Sequence, residues 1–95
     1  MAAGEEGKTL AVEVDGIPVT IERDVLGNDI DTLELLADVD EGNALAVVRL
    51  MRHVFGDEQY ANIKASLRRD GRTAVTDMTN FMSEVFKAIG GAAKN

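Results

Sequence analysis

The chain has 95 residues, 45% of them apolar, a net charge of −7 and no cysteine. That length allows one domain with a small core, and the missing thiols exclude a disulfide framework, a thiolate metal site and a cysteine nucleophile. The acidic balance disfavours nonspecific binding to nucleic acid or anionic lipid.

Residues 1–8 read as a disordered leader, with no basic stretch followed by an apolar one and hence no signal peptide. No apolar run approaches the ~18 residues of a membrane span. Leu10, Val12 and Val14 then alternate with Ala11 and Glu13, and Ile17, Val19 and Ile21 alternate with Pro18, Thr20 and Glu22. Period two on both sides of Asp15-Gly16 predicts a β-hairpin with a tight primed turn. Pro18 cannot donate a ladder hydrogen bond, so its N side faces outward. A lone hairpin is marginal in water, so its apolar face lies on the helices or another chain completes the sheet.

From Asp24 the period changes. Asp31 as cap with Glu34 three residues on, and Ile30 before it with Leu35 inside, predicts a helix over about 31–41. Its apolar stripe is Leu33, Leu36 and Val39, with Ile30 beside it, and Gly42 stops it. Asn43 caps a second helix over about 44–55, in which Ala44, Val47, Leu50, Met51, Val54 and Phe55 recur at spacings of three and four and Leu45 and Val48 widen the stripe. Gly56 ends it. Asp57 caps a third helix with Tyr60, Ile63 and Leu67 as its stripe and Arg68 and Arg69 in its last turn, closed by Asp70-Gly71. A fourth helix runs from about Thr73 to Ile89 on Val75, Met78, Phe81, Met82, Val85, Phe86 and Ile89, and Gly90-Gly91 terminates it. The expected organisation is one domain over 9–91 and a flexible tail over 92–95. The fold class is α+β, mainly helical, with an N-terminal β-hairpin packed on three to four short α-helices.

Motifs that carry chemistry are missing. His53 stands alone, without a His-x-x-x-His or Glu-x-x-His pair, and reads as a surface histidine. Asp38-Val39-Asp40-Glu41-Gly42 lacks the alternating oxygen ligands of a calcium loop, and Arg49 stands where its twelfth-position glutamate belongs. No phosphate-binding glycine loop or nucleophile elbow occurs, and Ser66 and Ser83 lie in helices without a nearby base. No enzyme activity, cofactor or metal is expected. The second and third helices have helix-turn-helix lengths, but Asp57 and Glu58 would put negative charge against the phosphates.

Charge divides unevenly, with twelve acidic and two basic side chains over residues 1–43 and five acidic and eight basic ones over 44–95. Two packed halves that complement each other account for this, as does oriented stacking of copies. The last helix is likewise open to two readings: a core helix, or a partly exposed Phe/Met surface awaiting a client.

The run Leu50-Met51-Arg52-His53-Val54-Phe55-Gly56-Asp57-Glu58-Gln59-Tyr60, followed by Ile63-Lys64 and Leu67, resembles the central block of tail assembly chaperones from siphophages and prophages of Gram-positive hosts. In that family an apolar helix ends in Phe-Gly-[Asp/Glu]-Glu-Gln-[Tyr/Trp], and a Phe- and Met-rich helix follows, here Met78 to Ile89. The Val-Glu-Val-Asp-Gly-Ile hairpin and the Leu33–Ala37 helix are also similar. The resemblance covers residues 9–95 and implies a non-enzymatic chaperone in the bacterial host cytoplasm, absent from the finished virion. Its client would be the tape measure protein, kept soluble while tail tube subunits polymerise around it. It also implies a longer form, made by a programmed frameshift near Lys94-Asn95, whose extension contacts the tail tube protein. Adaptable hydrophobic contact then assigns client binding to Leu50, Met51, Phe55, Met78, Phe81, Met82, Val85, Phe86 and Ile89, with a homo-oligomer aligned by charge and no nucleic acid or membrane partner. The alternatives are a protein-interaction adaptor, an antitoxin-like regulator or a small DNA-binding regulator.

Overall fold

Asp15 and Gly16 take φ of 54° and 78°, the two positive values that a type I′ turn requires. In the computed structural model, which describes residues 9–93, this turn joins strand β1 (Thr9–Val14) to β2 (Ile17–Glu22). The antiparallel register pairs Val14 with Ile17, Val12 with Val19 and Leu10 with Ile21. These three pairs share one face. In a two-residue hairpin the pair closing the turn is hydrogen-bonded and the next is not. The pairs Glu13–Pro18 and Ala11–Thr20 therefore direct β2's backbone outward, and the N–H that Pro18 lacks costs no ladder bond. Val14, Ile17, Val19 and Ile21 are buried. Helices of the same chain cover them, β1 lying against the last helix and β2 against the long central one.

A short helix α1 (Arg23–Gly27) follows without a loop, an element the sequence pattern does not announce. Helix α2 (Ile30–Asp40) starts one residue earlier than expected, and its cap position is Asp29 instead of Asp31. The Asp29 carboxylate accepts from the Thr32 hydroxyl at 2.9 Å and is hydrogen-bonded to His53 on the central helix. That anchor sets the helix's rotation. Thr32 is fully buried, Leu35, Leu36 and Val39 are half-buried, and Ile30 and Leu33 face outward at 67% and 58% exposure. The expected stripe of Leu33, Leu36 and Val39 is thus corrected: the buried face is centred on Thr32, Leu36 and Val39.

Gly42, at φ 93°, ends α2 as expected, and the Asn43 side chain accepts from the Leu45 amide at 3.1 Å to open helix α3 (Ala44–Ser66). Gly56 interrupts α3 at φ 82° and ψ 161°, a region essentially confined to glycine. Residues 44–55 and 57–66 are therefore two arms meeting at a kink, as the sequence anticipates. The second arm ends at Ser66. Arg68 and Arg69 lie beyond it, not in its last turn, and Arg69 pairs with Arg72 across a second Asp-Gly turn with φ of 53° and 83° at Asp70 and Gly71.

Helix α4 (Val75–Ala93) begins two residues later than expected and continues through Gly90-Gly91. Two glycines in a helix cost about 1 kcal/mol each relative to alanine, and the preceding turns are already held by packing. The expected stop at Ile89 is corrected accordingly. The predicted leader, residues 1–8, and the end of the predicted tail, residues 94 and 95, lie outside the described residues. One core joins the elements: hairpin residues meet Leu50, Met51, Phe55 and Ile63 of α3 and Phe81, Val85 and Ile89 of α4. The Phe55 and Phe81 rings pack tilted by 58° with centroids 6.3 Å apart, a favourable edge-to-face class of contact. The architecture is α+β and mainly helical.

Candidate protein-binding surface

The Phe55-Gly56-Asp57-Glu58-Gln59-Tyr60 run has a mechanical role. Phe55 and Tyr60 are buried on either side of the Gly56 kink. The kink turns the second arm so that Gln59 reaches the open edge of β2. Its amide accepts from the Thr20 N–H and donates to the Thr20 carbonyl, both at 2.8 Å, as a neighbouring strand would. The same amide nitrogen donates to the Phe55 carbonyl at 2.8 Å, one of the carbonyls released by the broken helical ladder. Gln59 thus clasps hairpin and kink together. Sequence reasoning missed this role because the partner lies 39 residues away.

His53 is exposed, as expected of a surface histidine, but it has a partner that its sequence neighbours do not indicate. It bonds Asp29, 24 residues upstream, and the histidine with Thr32 holds the Asp29 carboxyl below the usual carboxylate range. His53 borders an open cavity of about 490 Å³ with Glu22 and Gln59, its lining mixed polar and apolar. The pair is an orienting latch between α2 and α3. No group of three or more His, Asp or Glu among the described residues is arranged to hold a metal ion, and none of the helices there is long and apolar enough to cross a membrane.

The nine residues expected to contact a client separate sharply. Leu50, Met51, Phe55, Met78, Phe81, Met82, Val85 and Ile89 are buried in the core, and Phe86 is half-buried. The core reading of the last helix therefore holds for Met78, Phe81, Met82, Val85 and Ile89, and Phe86 is its partly exposed member. What the chain does expose is a groove between α2 and α4. Its first hollow, about 230 Å³, lies among Leu26, Leu36, Phe86 and the rim of Ile89. Its second, about 190 Å³, shares Leu36 and Phe86 and extends over Val39, Val47 and Met82. A third, about 170 Å³, shares Val39, Val47 and Thr79 and reaches Val75, where the groove ends. The hollows are each below the ~300 Å³ of small-molecule sites and suit a row of side chains. Asp40 and Ser83 stand at the lip. Leu26, on the unanticipated α1, and Leu36 are groove residues that sequence patterning could not assign.

A helix-turn-helix arrangement is not what the two arms of α3 form. A single residue joins them, and Asp57, at the start of the second arm, has a 90% exposed carboxylate. Comparison of the chain with protein-family models, with curated proteins and with solved structures found no match.

Proposed function

We propose that the domain is a tail assembly chaperone of a long-tailed bacteriophage that holds helical segments of the tape measure protein soluble in the host cytoplasm during tail morphogenesis. The observation carrying this reading is the apolar groove between α2 and α4, in which Phe86, Leu36 and Val39 form a continuous half-buried surface. Spaced hollows along a groove are what an amphipathic client helix needs for its i, i+3/i+4 and i+7 side chains. The resemblance through the Phe-Gly-Asp-Glu-Gln-Tyr run supports the family, and the groove supplies a place for the client that the buried Phe/Met side chains do not. A longer frameshifted form would carry the contact with the tail tube protein, and neither form belongs to the finished virion.

The test is co-expression with a tape measure protein, followed by co-purification. The wild-type domain keeps the client soluble and elutes with it. Phe86→Asp retains a cooperative urea transition and loses the client. Phe81→Asp, at a buried site, unfolds the domain. A folded Phe86→Asp variant that still solubilises the client would refute the groove, and a client equally soluble without the domain would refute the function.

A further inference from the structure

The two edges of the hairpin differ. On β2, Pro18 has no N–H to offer, Gln59 takes both outward backbone groups of Thr20, and α1 begins directly after Glu22. Natural sheets close an edge to further strands by such means. The β1 edge has none of them. Glu13 and Ala11 stand opposite Pro18 and Thr20, so they too turn their N–H and carbonyl groups away from the partner strand. Both residues are exposed, and among the described residues no hydrogen bond meets these backbone groups. Water satisfies them. Two residues apart on one side of a strand, they form half of a ladder. The side chains are asymmetric in the same sense. On the inward face Ile17, Val19 and Ile21 of β2 are buried, while their β1 partners Leu10 and Val12 are half-buried, and on β1 only Val14 beside the turn is buried. Apolar surface therefore runs out at the β1 edge. Residues 9–22 carry Glu13, Asp15 and Glu22 and no basic residue, and among the described residues none of these carboxylates is in an ion pair.

We infer that the β1 edge is a strand-addition site for an extended segment of another protein, one in which apolar residues alternate with lysine or arginine. The Ala11 and Glu13 backbone supplies the ladder, the apolar residues of the segment cover Leu10 and Val12, and its basic residues meet Glu13 on the outer face. Main-chain pairing supplies affinity, and the alternation fixes which face of the segment turns inward. A second copy of β1 is the wrong occupant. Antiparallel pairing of two such edges about Val12, the register that joins Ala11 to Glu13 in both directions, sets two Glu13 carboxylates on a diagonal of one face, and the hairpin carries no cation to separate them. The hollows of the α2–α4 groove include no β1 residue. The strand site is thus distinct from the proposed client groove and is tested without a client.

The experiment is amide hydrogen exchange by NMR on the full chain, alone and with a short synthetic peptide alternating valine and lysine. Alone, the Ala11 and Glu13 amides exchange fast, while Val12, inside the ladder, is protected. With the peptide, Ala11 and Glu13 slow by about tenfold or more. A peptide with the same valines and lysines in two blocks protects neither amide, and neither does one alternating valine and glutamate. Ala11→Pro removes one outward N–H at an edge position and weakens binding of the lysine peptide by about tenfold. Glu13→Lys leaves every backbone group in place and reverses the preference, so that the glutamate peptide now protects Ala11. Overturning results are Ala11 and Glu13 amides already protected in the dilute domain alone, a lysine peptide that leaves them fast, a blocked or glutamate peptide that protects the wild type equally, or a Glu13→Lys protein with the wild-type preference. Protection that grows with domain concentration in the absence of peptide would give the edge to a second copy and overturn the choice of occupant.

Discussion

Replacing Gln59 with alanine removes three hydrogen bonds at once, two to the Thr20 backbone and one to the Phe55 carbonyl, each 2.8 Å long. The Thr20 groups lie at an exposed edge and regain water, while the Phe55 carbonyl is partly enclosed. At about 0.5–1 kcal/mol net per bond, the lower part of the usual range because two of the three are exposed, the loss is roughly 1.5–3 kcal/mol. For a domain of this size the total stability is about 5–14 kcal/mol, so the change is large. With m about 1.5 kcal/mol/M, the urea midpoint falls by roughly 1–2 M. Hydrogen exchange supplies the local readout: the Thr20 amide, held outward from β1 and protected only by Gln59, loses its protection, while the amides of Val12 and Val19, inside the ladder, follow global stability. Gln59→Glu provides the control. It still accepts from the Thr20 N–H but turns a carboxylate toward two carbonyls, so at neutral pH it is at least as destabilising as alanine. A Gln59→Ala protein in which Thr20 remains protected would refute the clasp.

Gly56→Ala isolates backbone conformation from packing, since a Cβ there meets nothing within 4 Å while φ is 82° and ψ 161°. The expected loss is about 1–3 kcal/mol by urea denaturation, and a neutral substitution would mean that the kink straightens without cost. Asp29→Asn tests the latch through pH. The folded Asp29 carboxyl titrates below its ordinary value, chiefly through His53 and then Thr32. Its contribution to stability is therefore present above roughly pH 4 and is lost as pH falls through the lower folded value. Wild type and Asp29→Asn consequently differ in thermal stability at pH 6 and converge as pH falls through the lowered folded value; a gap that stays constant across the whole acid range would count against this.

Local signals in the sequence carry most of the elements, because their causes are local. Strict alternation about Asp15-Gly16 places the hairpin to the residue, and the Asn43 cap and Gly42 stop place the boundary between α2 and α3. Errors arise where a distant side chain intervenes. Asp29 captures His53 and Thr32 together, which draws the start of α2 forward and rotates it so that Thr32, not Leu33, goes inside. No window of ten residues contains that information. The Gly90-Gly91 break fails for a related reason: packing along Phe81, Val85 and Ile89 outweighs a propensity that is worth about 1 kcal/mol per glycine.

The same distinction governs the surface. A Phe/Met-rich helix looks equally suitable for core or client in a sequence, and here eight of the nine nominated residues are core. Greasy side chains sufficient to fill a small domain's interior leave few for display, so the residues that remain accessible are the informative ones. Phe86 and Leu36 line a shared groove, and Ile30 and Leu33 form an apolar ridge on an acidic helix. Neither pair was legible as a surface until α2 had been rotated by its anchor at Asp29. The Phe-Gly-Asp-Glu-Gln-Tyr run is the converse case. It draws attention as a motif, yet every described contact it makes is internal: a glycine-only bend, an amide standing in for a strand, and an aromatic ring held between two cations. Such a run preserves the relation of hairpin to helices, and with it the faces on which α2 presents a groove on one side and a ridge on the other.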